Sequence, residues 1–269
     1  MRTSLSTIST LNASFAEDVD AYARAGFDAI GLWELKLPAD DVANVELLYA
    51  HRLAVSNCVP TVPSFLPLAI PGMEGPSDPG ERIEAICDSL RRFSAYEPAC
   101  AVCLSGPLGG RSEDEGRAIV VDGLRRAAAA AREAGVVLGF EPIHPAQRDT
   151  AGFVCSLADA LALLDEAGLD DVGIMADTFN LAHESTEDVV AARSRFTGLH
   201  VADELPEPIP GVRRLPEEHG RSSELVAALS AAGWDGPLDV EVFSTPDAFW
   251  ALPVDEAARQ AHSAVSALA

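Results

Sequence analysis

The sequence is poor in basic residues. It contains 19 Lys and Arg against 42 Asp and Glu, which gives a formal net charge of −23 at pH 7. A surface of this charge repels the phosphate backbone of nucleic acids and anionic membrane surfaces. We therefore expect neither a nucleic acid nor a membrane as a partner.

Long hydrophobic runs and a cysteine framework are also missing. No apolar run approaches the ~20 residues that a membrane-spanning helix needs. The N-terminal segment MRTSLSTIST lacks the apolar centre of a signal peptide. The five cysteines are odd in number and show no spacing typical of a disulfide scaffold. A reducing compartment is the simplest interpretation, so we predict a cytoplasmic protein.

Short apolar segments alternate with amphipathic segments along almost the whole chain. Eight of the apolar segments are predicted to be β-strands, because each is bounded by Gly, Pro, Asn or Asp. They cover residues 3–9, 28–33, 53–58, 100–105, 136–141, 172–177, 197–203 and 237–243. Capping boxes at Ser14/Glu17 and Ser112/Glu115 predict helix starts, and Gly135 is expected to end the second of these helices.

This alternation predicts the fold. Repeated βα units imply a parallel sheet, and eight units without a linker imply closure into a barrel. A doubly wound open sheet would carry a G-x-G-x-x-G turn after an early strand, and the sequence has none. We predict an α/β protein, a (β/α)8 barrel, with residues 1–269 in a single domain. Long Pro- and Gly-rich connections at 60–79, 142–152 and 204–220 each follow a strand and are expected at the C-terminal face, where such barrels build their sites.

Four residues that commonly bind metals lie on four successive predicted strands. Glu141 and Asp177 end the fifth and sixth strands, and His200 and Glu241 lie within the seventh and eighth. Carboxylates on otherwise apolar strands are costly to bury unless they are paired, protonated or bound to a cation. The set predicts a divalent cation at one end of the barrel, with ordinary salt bridges among polar barrel residues as the alternative. Three carboxylates and an imidazole suit Mn²⁺, Mg²⁺ or Co²⁺, and also allow Zn²⁺ or Fe²⁺.

The alternation of side chains along a strand supports this set. Residues two positions apart share a face, so the residues two positions before each candidate ligand should also point into the barrel. These are Gly139, Met175, Gly198 and Asp239. The residues in between should point outward to the helices, and these are Phe140, Ala176, Leu199 and Val240.

Five segments resemble one known family. They are G-F-D-A-I-G-L-W at 26–33, E-P-I-H-P at 141–145, D-T-F-N at 177–180, L-H-V-A-D at 199–203 and G-W-D-G-P-L-D-V-E-V-F at 233–243. Together they are similar to the xylose isomerase-like TIM barrels, the sugar phosphate isomerase and epimerase family. Its members include ketose 3-epimerases, inosose isomerases and dehydratases, and hydroxypyruvate isomerases. The resemblance covers nearly the whole chain and does not specify a substrate.

The resemblance implies roles for particular residues. It implies that Glu141, Asp177, His200 and Glu241 bind one divalent metal ion, for which we expect Mn²⁺ first. It also implies that the two glutamates are catalytic and move a proton on opposite faces of the sugar. Arg213, just after the seventh strand, matches a substrate-binding arginine of the family.

The substrate end of the predicted site differs from the family pattern. Asn180 stands where the epimerases usually have a histidine that touches substrate, and an amide cannot gain a proton near neutral pH. The segment Pro216-Glu217-Glu218-His219-Gly220 replaces the usual P-G-E-G. We predict substrate contacts for Trp33, His144, Asn180 and Arg213. The alternative for His144 is a solvated loop residue. Trp33 would stack on a sugar, and the alternative is a side chain that only covers the barrel end.

The function predicted from these features is a metal-dependent isomerase or epimerase. The substrate would be a small keto-sugar or polyol ketone, and the reaction a proton transfer next to the carbonyl. A lyase or dehydratase acting on a keto-sugar, inosose or oxidised glycoside is the alternative at the same site. A DNA-repair nuclease of the same superfamily would need histidines after strands two and three, where this chain has Trp33/Glu34 and Asn57/Cys58. A catalytically silent binding protein and a homo-oligomer are both left open.

Overall fold

The structure is a computed structural model that describes residues 1–268. Within these residues eight parallel strands close into a barrel, and the last barrel strand pairs with the first. In order around the barrel they are β1 (Thr3–Ser6), β2 (Ala29–Trp33), β3 (Ala54–Val59), β4 (Ala101–Cys103), β5 (Leu138–Phe140), β6 (Gly173–Asp177), β7 (Phe196–Val201) and β10 (Leu238–Val240). Strands β8 and β9 lie outside the barrel and are described below. The predicted (β/α)8 barrel in a single domain is confirmed.

In the described part of the chain, eight α-helices follow the barrel strands. They are α1 (Phe15–Ala25), α2 (Asp41–His51), α3 (Pro79–Phe93), α4 (Glu113–Ala134), α5 (Leu157–Ala167), α6 (Thr186–Ala192), α7 (Arg221–Ala231) and α8 (Val254–Ser266). The capping boxes at the starts of α1 and α4 form as predicted. Gly135 ends α4 in the left-handed conformation with φ +70°, which a residue with a side chain rarely adopts.

One pair of strands is absent from the sequence-based prediction. The connection after β7 contains a small antiparallel hairpin, β8 (Asp203–Glu204) and β9 (Arg213–Arg214). Each strand has only two residues, so neither shows the alternation by which a strand is recognised in a sequence. The hairpin nevertheless matters, because it brings Arg213 over the barrel.

The apolar core has two layers. The larger layer fills the space between strands and helices and includes Phe140, Ala176, Leu199 and Val240, as the strand alternation predicts. The smaller layer lies inside the barrel and includes Ile8, Trp33, Val59, Cys100, Val102 and Met175. The inward-facing residues therefore form a packed plug beneath the C-terminal face. None of the helices in residues 1–268 has the length and apolar character needed to cross a bilayer.

Candidate active site

The four predicted metal ligands meet at the C-terminal end of the barrel. Glu141, Asp177, His200 and Glu241 each offer one ligand atom, and these atoms all lie within 4.8 Å of one another. All four side chains are buried. Strand pairing explains part of the convergence, because Asp177 of β6 lies directly beside His200 of β7. The two glutamates directly follow β5 and β10, so their side chains enter the same space from neighbouring positions on the barrel rim.

The donor set fits a divalent cation. Nδ1 of His200 lies 3.5 Å from Oε1 of Glu141 and 3.5 Å from Oε2 of Glu241. Neither ring nitrogen of His200 has a hydrogen-bond partner among the described residues. A buried polar atom without a partner is costly, and a cation between the histidine and the carboxylates would remove that cost. Three carboxylates and one imidazole are ligands for a hard or borderline ion.

Burial and charge shift the protonation equilibria of this cluster. Burial raises the pKa of Glu141 to about 7, although His200 opposes the shift. Burial likewise raises the pKa of Asp177, against the effect of Arg213. For His200, burial lowers the pKa, but the surrounding carboxylates, Glu241 foremost, outweigh it and raise the pKa to about 10. The cluster therefore favours a bound positive charge.

Arg213 supplies a positive charge inside the cluster. Its Nη1 donates hydrogen bonds to Oδ2 of Asp177 at 2.6 Å and to Oε2 of Glu241 at 2.8 Å. The guanidinium carbon lies 4.7 Å from the centre of the Phe179 ring and 5.1 Å from that of Phe243. These contacts hold a planar cation by both charge and ring stacking. The backbone N–H of Arg213 also donates to the carbonyl of Phe243, which anchors strand β9 to the barrel rim.

Asn180 contacts a candidate ligand directly. Its amide Nδ2 donates to Oε1 of Glu141 at 3.0 Å, and its Oδ1 accepts from the backbone N–H of His144 at 3.1 Å. The side chain is buried, so these two bonds fix the orientation of the Glu141 carboxylate. The His144 ring lies beside Phe179, with 5.3 Å between the ring centres. Substrate contacts of Asn180 and His144 stay predictions.

Trp33 orients the other glutamate. Its indole Nε1 donates to Oε1 of Glu241 at 3.3 Å, and its ring packs edge-on against Phe243. The indole also lines the cavity above the cluster. Trp33 thus combines a polar contact to a candidate ligand with a ring that lines the cavity, and its contact with substrate stays a prediction.

A polar network beneath His200 was not predicted as part of the site. Oδ2 of Asp239 lies 3.5 Å from Nε2 of His200. Asn57 donates to Oδ2 of Asp239 at 2.9 Å, and Ser56 donates to Oδ1 at 3.2 Å. Ser4 and Ser56 share a further hydrogen bond. The side-chain alternation along the eighth predicted strand indicated that Asp239 points into the barrel. Its position beside Nε2 of His200 depends on the register between neighbouring strands, which the sequence alone does not give.

A cavity of about 630 Å³ opens above the cluster. Glu141, Arg213 and Glu241 form its polar base. Each of the three long connections contributes to its wall, so their predicted position at the C-terminal face is confirmed. The contributing residues include 68–73 from the connection after β3, Gln147 and Thr150 from the connection after β5, and 210–212 from the connection after β7.

Comparison with solved structures gives many proteins of the same fold. A xylose isomerase domain protein from Alicyclobacillus acidocaldarius subsp. acidocaldarius has a TM-score of 0.80 and 21% identity, covering 100% of this chain and 98% of that one. A structure of IolI protein with a binding zinc atom also has a TM-score of 0.80, with 18% identity over 100% and 98% of the two chains. D-psicose 3-epimerase with D-tagatose, from Clostridium cellulolyticum H10, has a TM-score of 0.74 and 16% identity over 99% and 97%. At these identities the likeness shows the fold.

No curated protein matches the sequence of this chain. The comparison with family models assigns the chain to one family. The model for the xylose isomerase-like TIM barrel matches residues 19–267, nearly the whole barrel. The resemblance stated from the five sequence segments is thereby confirmed. The chain belongs to the xylose isomerase-like TIM barrel family.

Proposed function

We propose that the protein is a divalent-metal-dependent isomerase or epimerase that moves a proton next to the carbonyl of a hydroxy-ketone. The observation that carries the proposal is the convergence of Glu141, Asp177, His200 and Glu241. Two of these residues, Glu141 and Glu241, line the polar base of the cavity. These residues would hold the ion, with Mn²⁺ expected first, and a bound ion would polarise the substrate carbonyl as a Lewis acid.

The two glutamates are positioned for acid–base work. One would take the proton from the carbon next to the carbonyl, and the other would return a proton from the opposite side. Asn180 holds Glu141, and Trp33 holds Glu241, so each carboxylate has a fixed orientation before substrate arrives. The guanidinium of Arg213 lies beside both Asp177 and Glu241, where it can bind an oxygen on which negative charge develops.

The comparisons support a proposal of this kind. One similar structure is described as a sugar epimerase with a ketohexose, and another as a protein with a zinc atom. Arg213 is the one Lys or Arg among the residues that line the described cavity. A phosphorylated substrate or a nucleic acid would call for several such residues, so we propose a neutral, carbohydrate-like ketone.

A lyase or dehydratase is the second candidate. Removal of the same proton from a substrate with a leaving group on the next carbon would end in elimination instead of reprotonation. The volume of the cavity supports a lyase, because about 630 Å³ leaves room beyond the base for a departing group. A new unsaturated product would identify the lyase, whereas exchange without loss of a group would identify the isomerase.

Exchange of the substrate proton with solvent tests the proposal. The protein is incubated in D₂O with a panel of ketoses, inososes and keto-glycosides, with Mn²⁺ or with a chelator, and deuterium uptake is followed by NMR. We expect exchange with Mn²⁺ and its loss with the chelator. Glu141→Gln should slow exchange by about a thousandfold, because the variant lacks the base.

The exposed Glu133→Gln is the matched control and should exchange at the normal rate. Normal exchange by Glu141→Gln, or by the metal-free protein, would overturn the proposal.

A further inference from the structure

The cavity has two chemically different parts. Its base carries the carboxylates and the guanidinium described above, whereas its wall is mostly apolar. The wall includes Leu68, Ile70, Met73, Leu104, Val212 and Phe243. They come from the connections after four different strands, so the apolar surface surrounds the opening and is not confined to one loop.

The longest part of this wall is firmly anchored. The connection between β3 and α3 is held by Arg82, which is fully buried. Its guanidinium donates to the carbonyls of Ser64 at 2.7 Å, Glu74 at 2.6 Å and Pro76 at 2.8 Å. The backbone N–H of Ala69 donates to the carbonyl of Thr150, which ties this connection to the one after β5. These hydrogen bonds fix the backbone that carries the apolar wall.

A free sugar does not suit such a wall. Each hydroxyl that leaves water for an apolar surface without a hydrogen-bond partner costs free energy. Away from the base, the polar side chains that line the cavity are Gln147, Thr150 and Ser244. All the charged side chains lie at the base, so a free ketohexose would place most of its hydroxyls against apolar side chains.

We propose that the substrate is amphiphilic, with a hydroxy-ketone at one end and an apolar alkyl or aryl substituent at the other. The hydroxy-ketone end lies at the base, and this assignment rests on the proposed function. The apolar substituent lies against the wall formed by Leu68, Ile70 and Met73. A glycoside whose sugar has been oxidised to a ketone and whose other part is apolar has this structure.

A matched series of keto-glucosides tests the proposal. The compounds share one sugar, oxidised to a ketone at carbon 3, and differ only in a methyl, hexyl or phenyl group on the anomeric oxygen. Dissociation constants are measured by titration calorimetry with the Mn²⁺-loaded protein. We expect the hexyl compound to bind about 30-fold more tightly than the methyl compound, because its additional methylenes leave water. Equal or weaker binding of the hexyl compound would overturn the proposal.

Substitutions at two positions sharpen the test. Met73 is partly buried in the wall, and Met73→Glu should lower the hexyl-to-methyl affinity ratio about tenfold, because it places a charge beside the alkyl chain. Tyr49→Glu, on the exposed face of α2, is the matched control and should leave the ratio unchanged. If Met73→Glu folds poorly, Met73→Gln replaces it as the wall variant. An unchanged ratio in a folded Met73 variant contradicts the assignment of the wall.

Deuterium exchange in the same series separates this inference from the proposed function. Tighter binding of the hexyl and phenyl compounds without exchange supports the apolar subsite and overturns the proposed chemistry. Exchange in all compounds with equal affinities supports the chemistry and overturns the amphiphilic substrate.

Discussion

The guanidinium of Arg213 donates a hydrogen bond to the carboxylate of Asp177, with 2.6 Å between Nη1 and Oδ2. The same nitrogen donates to Glu241, so one cation contacts two of the candidate metal ligands. Both carboxylates and the arginine are buried. Arg213 therefore balances part of the negative charge that folding concentrates at the top of the barrel.

Removal of this charge should destabilise the metal-free protein. Arg213→Ala leaves two buried carboxylates without their partner, and breaking such a contact costs about 3 kcal/mol. We expect the free energy of unfolding, measured with urea in the presence of a chelator, to fall by about that amount. Mn²⁺ should restore more stability in the variant than it adds to the wild type, because the ion then supplies the missing positive charge.

The neighbouring arginine provides the control for that experiment. Arg214 is half-buried, pairs with the exposed Glu217 and donates from Nε to the carbonyl of Glu204. Because water reaches these groups, its removal should cost only about 1 kcal/mol. Similar losses for Arg213→Ala and Arg214→Ala would show that the buried contact has no special weight.

A glycine beneath the cluster gives a second prediction. A Cβ atom on Gly31 would lie 2.4 Å from Oδ2 of Asp239, a short, buried side chain already bound to Asn57 and Ser56. Gly31→Ala should therefore displace the Asp239 carboxylate from His200. We expect a loss of about 2 kcal/mol in unfolding free energy and weaker Mn²⁺ binding by about tenfold, because a carboxylate behind a ligating histidine orients the ring.

Gly198→Ala is a suitable comparison for Gly31→Ala. Its Cβ would meet the sulfur of Met175, a flexible side chain that can move aside. We expect Gly198→Ala to lose less unfolding free energy than Gly31→Ala and to bind Mn²⁺ with unchanged affinity. Calorimetry measures both quantities. Equal Mn²⁺ affinities in the two glycine variants would argue against a positioning role for Asp239.

The barrel and its four converging side chains were predictable because their signals are local. Caps such as Ser14 with Glu17 mark helix starts, and the period of two along a strand places Asp177 and His200 on one face. Parallel strands with helical connections then bring their C-terminal ends together without further information. This is why widely separated residues could be assigned to one site.

Other features depend on contacts that no local pattern encodes. The position of Arg213 follows from a two-residue strand and one backbone bond to Phe243. The bond between Asn180 and Glu141 joins two different connections. The apolar wall had a partial signal, since S-F-L-P-L-A-I-P at 64–71 is unusually apolar for a loop, but the anchoring by Arg82 required the fold.

The anchoring of the wall by Arg82 gives a third prediction. Arg82→Met removes the donors for the carbonyls of Ser64, Glu74 and Pro76. We expect a loss of about 2 kcal/mol in unfolding free energy, because the buried carbonyl of Ser64 loses its partner. The connection at 60–78 should also become a site of limited proteolysis, with fragments identified by mass spectrometry.

Arg91→Met on the same helix is the control for Arg82→Met. Arg91 pairs with Asp88 at the surface, so the variant should show wild-type stability and cleavage. Resistance of the Arg82 variant to proteolysis would mean that the wall is held by other contacts.

Lys36, the sole lysine in the sequence, gives a prediction about pH. Its buried amine pairs with the carboxylate of Asp18 and donates to the carbonyls of Thr7 and Thr10. Burial raises the pKa of Asp18 from 3.8 to about 7, although Lys36 opposes this shift. Folded Asp18 therefore keeps its proton to higher pH than unfolded Asp18, and its contribution to unfolding free energy falls as pH rises between about 4 and 7.

Lys36→Met removes the group that opposes the shift, so the pKa of folded Asp18 should rise further and the loss should continue above pH 7. We expect Lys36→Met to cost about 3 kcal/mol at pH 8, where an unpaired carboxylate must be buried or protonated. At pH 5 Asp18 is already protonated in the fold, and the cost should be less than about half as large. Urea unfolding at both pH values measures the difference. The double variant Asp18→Asn/Lys36→Met carries no titrating group at either position and should remove the extra pH dependence. If the single variant loses the same stability at pH 5 and pH 8, the buried Asp18 is not the group that responds.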